Sequence, residues 1–132
     1  MLDHVDFEVS RERLRACVEF YVALGFYEVE PPEDIPIECA VLAHEDGAWI
    51  GLLVRDEPVV MPWGHIALAV PDYAGTVERM RARGCAVEDR TPYWGAARSF
   101  LHDPQGNRVE LLEYGPTFEP RPAAGGVARL VR

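Results

Sequence analysis

This chain lacks several things, and each lack narrows the field. It has only three cysteines, Cys17, Cys39 and Cys85, with no C-x-x-C spacing among them. An odd, scattered set does not build a disulfide framework or a thiolate metal cluster, and reads as small apolar side chains in a reducing compartment. Basic residues are scarce, 13 Lys and Arg against 22 Asp and Glu, for a formal charge of −9. A surface that acidic repels phosphate backbones, so nucleic acid is not the expected partner. No apolar run approaches the roughly 18 residues of a membrane-spanning helix, so no membrane partner is expected. Asp3, His4 and Asp6 interrupt any leader-like start, and a cytoplasmic protein is expected.

What the chain does have is enough apolar material for a core, 48% over 132 residues, the size of one ordinary domain. Residues 2–9 alternate in polarity and read as a strand. Ser10 can cap a helix over 10–24, where Leu14, Cys17, Val18, Tyr21 and Val22 form one stripe and Gly25 ends it. A short strand over 26–30, a proline-rich connection, and strands over 37–44 and 48–55 joined by Glu45-Asp46-Gly47 complete a first unit. The order then restarts. A strand over 64–70 is followed by a helix over 72–83 with Asp72 as N-cap. A strand over 85–89, a loop over 91–95, and a hairpin of 97–102 and 108–114 come next.

That is an internal repeat. The offset that carries Gly47 to Gly106 also pairs Ile50 with Val109, Leu52 with Leu111 and Gly51 with Glu110. The fold class is therefore α+β: two βαβββ modules, 2–57 and 62–114, forming a curved mixed sheet with helices outside and a tail over 115–132. Alternation places His4, Gly51, His65 and Glu110 on one face of their strands, expected to line the largest pocket. Val5, Phe7, Val9, Ile50, Leu52, Ile66, Leu68, Val70, Val109 and Leu111 face the helices.

Two imidazoles and a carboxylate are a ligand set for a divalent metal. His4 and His65 hold equivalent places in the two modules, and Glu110 stands on the last strand of the second. Gly51, at the fourth equivalent place, has no side chain to offer. Three protein ligands leave coordination positions open, as in catalytic sites. Glu110 has an alternative partner in Arg98 or Arg108. Tyr93, Trp94 and Trp63 are candidate rim residues for stacking on a substrate. Arg98 is a candidate for an anionic group, with a surface ion pair as its alternative role.

The paired modules, the G-H-I-A-L-A-V strand and the D-P-Q-G-N-R-V-E-L-L-E-Y ending resemble the vicinal oxygen chelate superfamily over about residues 2–114. That superfamily includes glyoxalase I, fosfomycin-resistance thiol transferases, extradiol dioxygenases and bleomycin-resistance proteins. The resemblance implies metal ligands at His4, His65 and Glu110, with iron, manganese, zinc or nickel as the ion. It implies an enzyme acting on a small oxygen-chelating substrate, a lyase, thiol transferase or dioxygenase, with Glu110 also moving protons. It also implies a two-fold homodimer in which His4 comes from one subunit and His65 with Glu110 from the other. The apolar linker residues Val60, Met61 and Trp63 are candidate interface. The alternative implied is a metal-free binding protein of the bleomycin-resistance kind. Two departures stand out. Glyoxalase I carries a carboxylate-type ligand where this chain has Gly51. The basic, serine-rich loop of the fosfomycin transferases is matched only by Arg98 and Ser99.

Overall fold

The computed structural model describes residues 1–122. The chain runs β1 (His4–Val9), a 3-10 turn (Arg11–Arg13), α1 (Leu14–Ala23), β2 (Tyr27–Val29), β3 (Cys39–Ala43) and β4 (Trp49–Val54). It continues with β5 (His65–Ala69), α2 (Tyr73–Ala82), β6 (Glu88–Tyr93), β7 (Ala96–His102) and β8 (Arg108–Leu112). Residues 123–132 of the expected tail lie outside the described residues.

The eight strands form two four-stranded mixed sheets, ordered β1-β4-β3-β2 and β5-β8-β7-β6. In each, the first strand of the module pairs parallel with the last, and the remaining pairs are antiparallel. The two modules thus share one topology, as the repeat requires, and fold class and repeat agree with the expectation.

Local chemistry sets the element ends. The Ser10 hydroxyl accepts from the Arg13 amide, but it caps a 3-10 turn, and the α-helix proper starts at Leu14. Asp72 accepts from the Gly75 amide at 3.1 Å and starts α2 as a capping residue should. Gly25 and Gly84 end the two helices with φ of 109° and 87°, a backbone that other residues adopt at a cost. The expected strand over 85–89 lies later, at Glu88–Tyr93, and most of the expected 91–95 loop is strand. Trp94 and Gly95, with φ of 48° and 80°, form a tight turn that lets β6 pair with β7 up to Tyr93. Every residue of β6 is exposed and Pro92 lies within it, as suits an edge strand.

The apolar faces meet in one core. Val9, Leu42 and Leu52 of the first sheet, Leu101, Val109 and Leu111 of the second, and Cys17, Tyr21, Val77 and Met80 of the helices belong to a single cluster. Tyr21, Leu52, Met80 and Leu111 have no exposed surface at all. Burying such side chains stabilises by about 2 kcal/mol each. No described helix is long and apolar enough to cross a membrane.

The D-P-Q-G-N turn has a physical role at this junction. Asp103 is buried, and its Oδ1 accepts from the backbone amides of Gln105, Gly106 and Asn107, each at 2.9 Å. Its Oδ2 accepts from the Asn107 side-chain amide at 2.9 Å and from the Tyr21 hydroxyl at 2.7 Å. Gln105 accepts from the Ser10 amide at 2.9 Å, and Asn107 donates to the Glu8 carbonyl at 3.4 Å. The last turn of module two is therefore tied to the strand and helix of module one.

Candidate metal-binding face

Strand pairing decides which side chains share a face. On the second sheet His65 lies opposite Arg108, Ala67 opposite Glu110, and Glu110 opposite Phe100. His65, Ala67, Arg108, Glu110, Phe100 and Arg98 therefore stand on the side away from the core. On the first sheet His4 lies opposite Trp49, and Asp6 opposite Gly51. Ala67 and Ala69 are exposed, small side chains beside His65.

His65 and Glu110 come together, with Nε2 and Oε1 at 3.1 Å. The other ring nitrogen of His65, Nδ1, is 2.9 Å from the Trp63 carbonyl. A carbonyl only accepts, so Nδ1 carries the proton and donates. Nε2 is then left with a lone pair aimed at a carboxylate oxygen, and two acceptors at that distance call for a cation between or beside them. A proton on Nε2 meets that need, and so does a divalent ion. Two donors each about 2.1 Å from one ion and at right angles stand about 3.0 Å apart, close to the observed separation. A histidine whose second nitrogen donates to a backbone carbonyl is the usual arrangement of a metal ligand. The pair fits the ion.

His4 is oriented the same way. Its Nδ1 donates to Asp3 at 2.8 Å, and Asp3 also accepts from the Trp49 indole at 3.1 Å. The imidazole stacks on the Trp49 ring, 3.9 Å between centroids. The hydrogen bond from His4 holds the Asp3 carboxyl below the usual range. Nε2 of His4 faces Oδ2 of Asp6 at 3.8 Å, beyond hydrogen-bond distance. Among the described residues, no three His, Cys, Asp or Glu side chains come close enough to hold an ion, so within one chain His4 stands apart from the His65–Glu110 pair.

Arg98 is a buried partner of Glu110, not a surface residue. Its guanidinium donates to Oε2 at 3.2 Å and to the Thr91 carbonyl at 2.8 Å. Glu110 thus has one oxygen toward His65 and the other held by Arg98, so of the two arginines considered as its partner Arg98 is the one that pairs with it. Tyr93 lies over the Arg98 guanidinium at 3.7 Å, and Trp94 meets Tyr93 and Phe118 edge-on at 5.9 and 4.8 Å. Tyr93 is half exposed and Trp94 largely so. Ser99 is on the other side of β7, fully buried opposite Leu111, with its hydroxyl unpartnered among the described residues.

A cavity of about 480 Å³ is lined by His4, Trp49, His65, Ala67 and Ala69, but also by Val5, Ile50, Ile66 and Leu68. Gly51 and Glu110 are not in its lining. The expectation that the face of His4, Gly51, His65 and Glu110 alone lines this pocket therefore fails. The reason is topological: β1 and β5 are edge strands, and a cavity at their free edges sees both of their faces. The alternation itself holds, since Ile66 and Leu68 pack against the core while His65, Ala67 and Ala69 are exposed.

Sequence reasoning missed Asp3 and Trp49 as orienting groups. Arg108, considered there only as a partner for Glu110, instead packs on aromatic rings, its guanidinium 3.9 Å from the Phe100 ring centre and 5.3 Å from that of Trp63.

Comparison with known proteins agrees with this architecture. A structure described as a glyoxalase family protein from Bacillus anthracis superposes with a TM-score of 0.79 at 21% identity, covering 87% of this chain and 95% of that one. The fosfomycin resistance protein FosX from Listeria monocytogenes, in a mutant complexed with Mn(II) and 1S,2S-dihydroxypropylphosphonic acid, gives a TM-score of 0.72 at 18% identity. That match covers 87% of this chain and 92% of that one. At these identities the likeness is one of fold. A chloroplastic lactoylglutathione lyase of Arabidopsis thaliana is 44% identical over 61 residues, 44% of this chain and 17% of the relative. A second Arabidopsis lactoylglutathione lyase is 39% identical over 62 residues, 44% of this chain and 22% of that protein. The chain thus matches only about a fifth of the length of these curated relatives. The family model for the Glyoxalase/Bleomycin resistance protein/Dioxygenase superfamily matches residues 1–111, and the chain belongs to that superfamily.

Proposed function

We propose that this protein is a divalent-metal-dependent enzyme acting on a small substrate with two neighbouring oxygens, with His4, His65 and Glu110 as ligands. The observation that carries the reading is the facing pair of His65 Nε2 and Glu110 Oε1 at 3.1 Å, with Nδ1 fixed by Trp63. A divalent ion bound there supplies Lewis acidity to the substrate oxygens and stabilises charge that develops on them. Manganese, iron, zinc and nickel all suit a set of imidazole and carboxylate. The site is completed across a two-fold homodimer, His4 from one subunit and His65 with Glu110 from the other. The separation of His4 from the pair within one chain supports this, as do the exposed apolar side chains Val59, Met61 and Trp63 in the linker.

The chain's own residues do the remaining work. Glu110 holds or moves a proton through its oxygen toward His65, while Arg98 fixes the other oxygen and sets the carboxylate plane. Tyr93 covers the Arg98 guanidinium and shields it from water. Arg108, cross-strand neighbour of His65 and packed on Phe100, is placed to bind an anionic group of the substrate. Trp94 supplies an exposed ring beside Tyr93. The ligand named for FosX, a vicinal diol bearing a phosphonate, combines the two features that such a site would select. The free thiols of Cys17, Cys39 and Cys85 support a reducing compartment such as the cytoplasm.

The test is a substrate panel with metal-stripped protein reloaded with each ion. The panel holds the glutathione hemithioacetal of methylglyoxal, fosfomycin with water or thiols, and catechols. Turnover of one of these, dependent on the ion and lost in Glu110→Ala, is expected. Absence of turnover with every ion, together with tight uptake of an apolar ligand by the metal-free protein, would replace the enzyme with a binding module.

A further inference from the structure

The two modules differ in where they keep their outward carboxylate. In module two it is Glu110 on the last strand, and its partner on the first strand, two residues after His65, is Ala67. In module one the residue two after His4 is Asp6, and its partner on the last strand is Gly51. The same pair of positions on the same face is filled in both modules, with the carboxylate and the small residue exchanged between strands.

Gly51 makes room for this exchange. A Cβ added there would collide with Oδ1 of Asp6 and come within 3.3 Å of its Cγ. The Asp6 carboxylate therefore occupies the space that a side chain at position 51 would take. Its Oδ2 is 3.8 Å from Nε2 of His4, as Oε1 of Glu110 is 3.1 Å from Nε2 of His65. Among the described residues no Arg or Lys pairs with Asp6; its ionic partner is His4 alone. Some two-fifths of its side chain is open to solvent.

We propose that Asp6 is a fourth protein ligand, the carboxylate of module one, directed to the same ion as His4. The inference rests on the metal-site reading above and deepens it. Each module then contributes one imidazole and one carboxylate. The site is a two-histidine, two-carboxylate set, with the missing side chain at Gly51 made good from the neighbouring strand.

Mn(II) binding to the metal-stripped full chain, followed by electron paramagnetic resonance of the free ion, reads this without turnover. Asp6→Ala is expected to weaken binding about tenfold or more, since a charged ligand is lost. Asp6→Ala/Gly51→Glu, which returns the carboxylate to β4 in the space Asp6 leaves, is expected to recover most of that loss. His65→Ala is expected to lower occupancy in the same assay. If His65→Ala loses the ion while Asp6→Ala binds as the wild type does, Asp6 is not a ligand and the three-ligand site stands. If Asp6→Ala weakens binding and the double variant recovers none of it, the exchange of strands is wrong. If the wild type binds no Mn(II), this inference falls together with the metal site itself.

Discussion

The Tyr21 hydroxyl donates to Oδ2 of Asp103 at 2.7 Å, joining residues 82 positions apart, one on the first helix and one in the last turn. Both are buried, and the Asp103 carboxylate accepts five hydrogen bonds. Removing the carboxylate strands buried donors, so Asp103→Ala is expected to cost about 3 kcal/mol. Tyr21→Phe removes one bond and is expected to cost about 1–2 kcal/mol. Urea unfolding measures both. A loss below about 0.5 kcal/mol in Asp103→Ala would show that the turn does not tie the modules together.

The same junction sets an alkaline limit. Burial, with the Asp103 charge beside it, pushes the Cys17 thiol from the usual 9.0 up to about 12. Burial and Asp103 also raise the Tyr21 hydroxyl. Both groups are acids whose neutral forms the fold favours. Their contribution is fully present below pH 9.0, the unfolded thiol value, and is lost as pH rises toward about 12. The urea midpoint is expected to fall through that window, and less steeply in Cys17→Ala. Cys17 should also be the slowest of the three thiols to react with a thiol reagent at pH 8. Rapid labelling of Cys17 in the folded protein would contradict its burial.

The proposed sharing of the site between two subunits makes a prediction about mixtures. His4→Ala and Glu110→Ala chains each lack one of the proposed ligands. After random subunit exchange, half of the dimers are mixed and each mixed dimer holds one intact site of two. The mixture should bind about a quarter of the wild-type amount of metal, where neither variant alone binds tightly. No recovery after exchange is confirmed by mass spectrometry would place each site within one chain.

Arg98 offers a separate check on Glu110. Arg98→Leu leaves the carboxylate buried with one oxygen unpaired, an arrangement that typically costs about 2–3 kcal/mol. Arg98→Lys keeps the charge but not the two-directional reach to Glu110 and the Thr91 carbonyl. It should keep most of the stability and lose turnover through a lower kcat. Unchanged kcat in Arg98→Lys would mean that the carboxylate plane does not depend on Arg98.

The repeat made the fold legible, because Gly25, Gly47, Gly84 and Gly106 punctuate it at equivalent places and each takes a positive φ. The three candidate ligands were legible for the same reason, as equivalent positions on alternating strands. What could not be read was anything that depends on neighbouring strands. β6 extends to Tyr93 because pairing with β7 stabilises residues whose composition reads as loop. Ser99 faces the core because β7 runs in register with β8, with Ser99 opposite Leu111. The contacts of Arg98 with Glu110 and of Asp6 with the space over Gly51 are likewise cross-strand facts. The stacking of His4 on Trp49 is another. No spacing along one strand announces them.

Calorimetric titration of Mn(II) into metal-free wild type and into the His65→Ala/Glu110→Ala double variant addresses the proposed metal site most directly. One ion per chain in the wild type and no tight binding in the variant is the predicted outcome. Equal binding by both proteins, with the same stoichiometry and affinity, would mean that the His65–Glu110 pair holds a proton and not a metal.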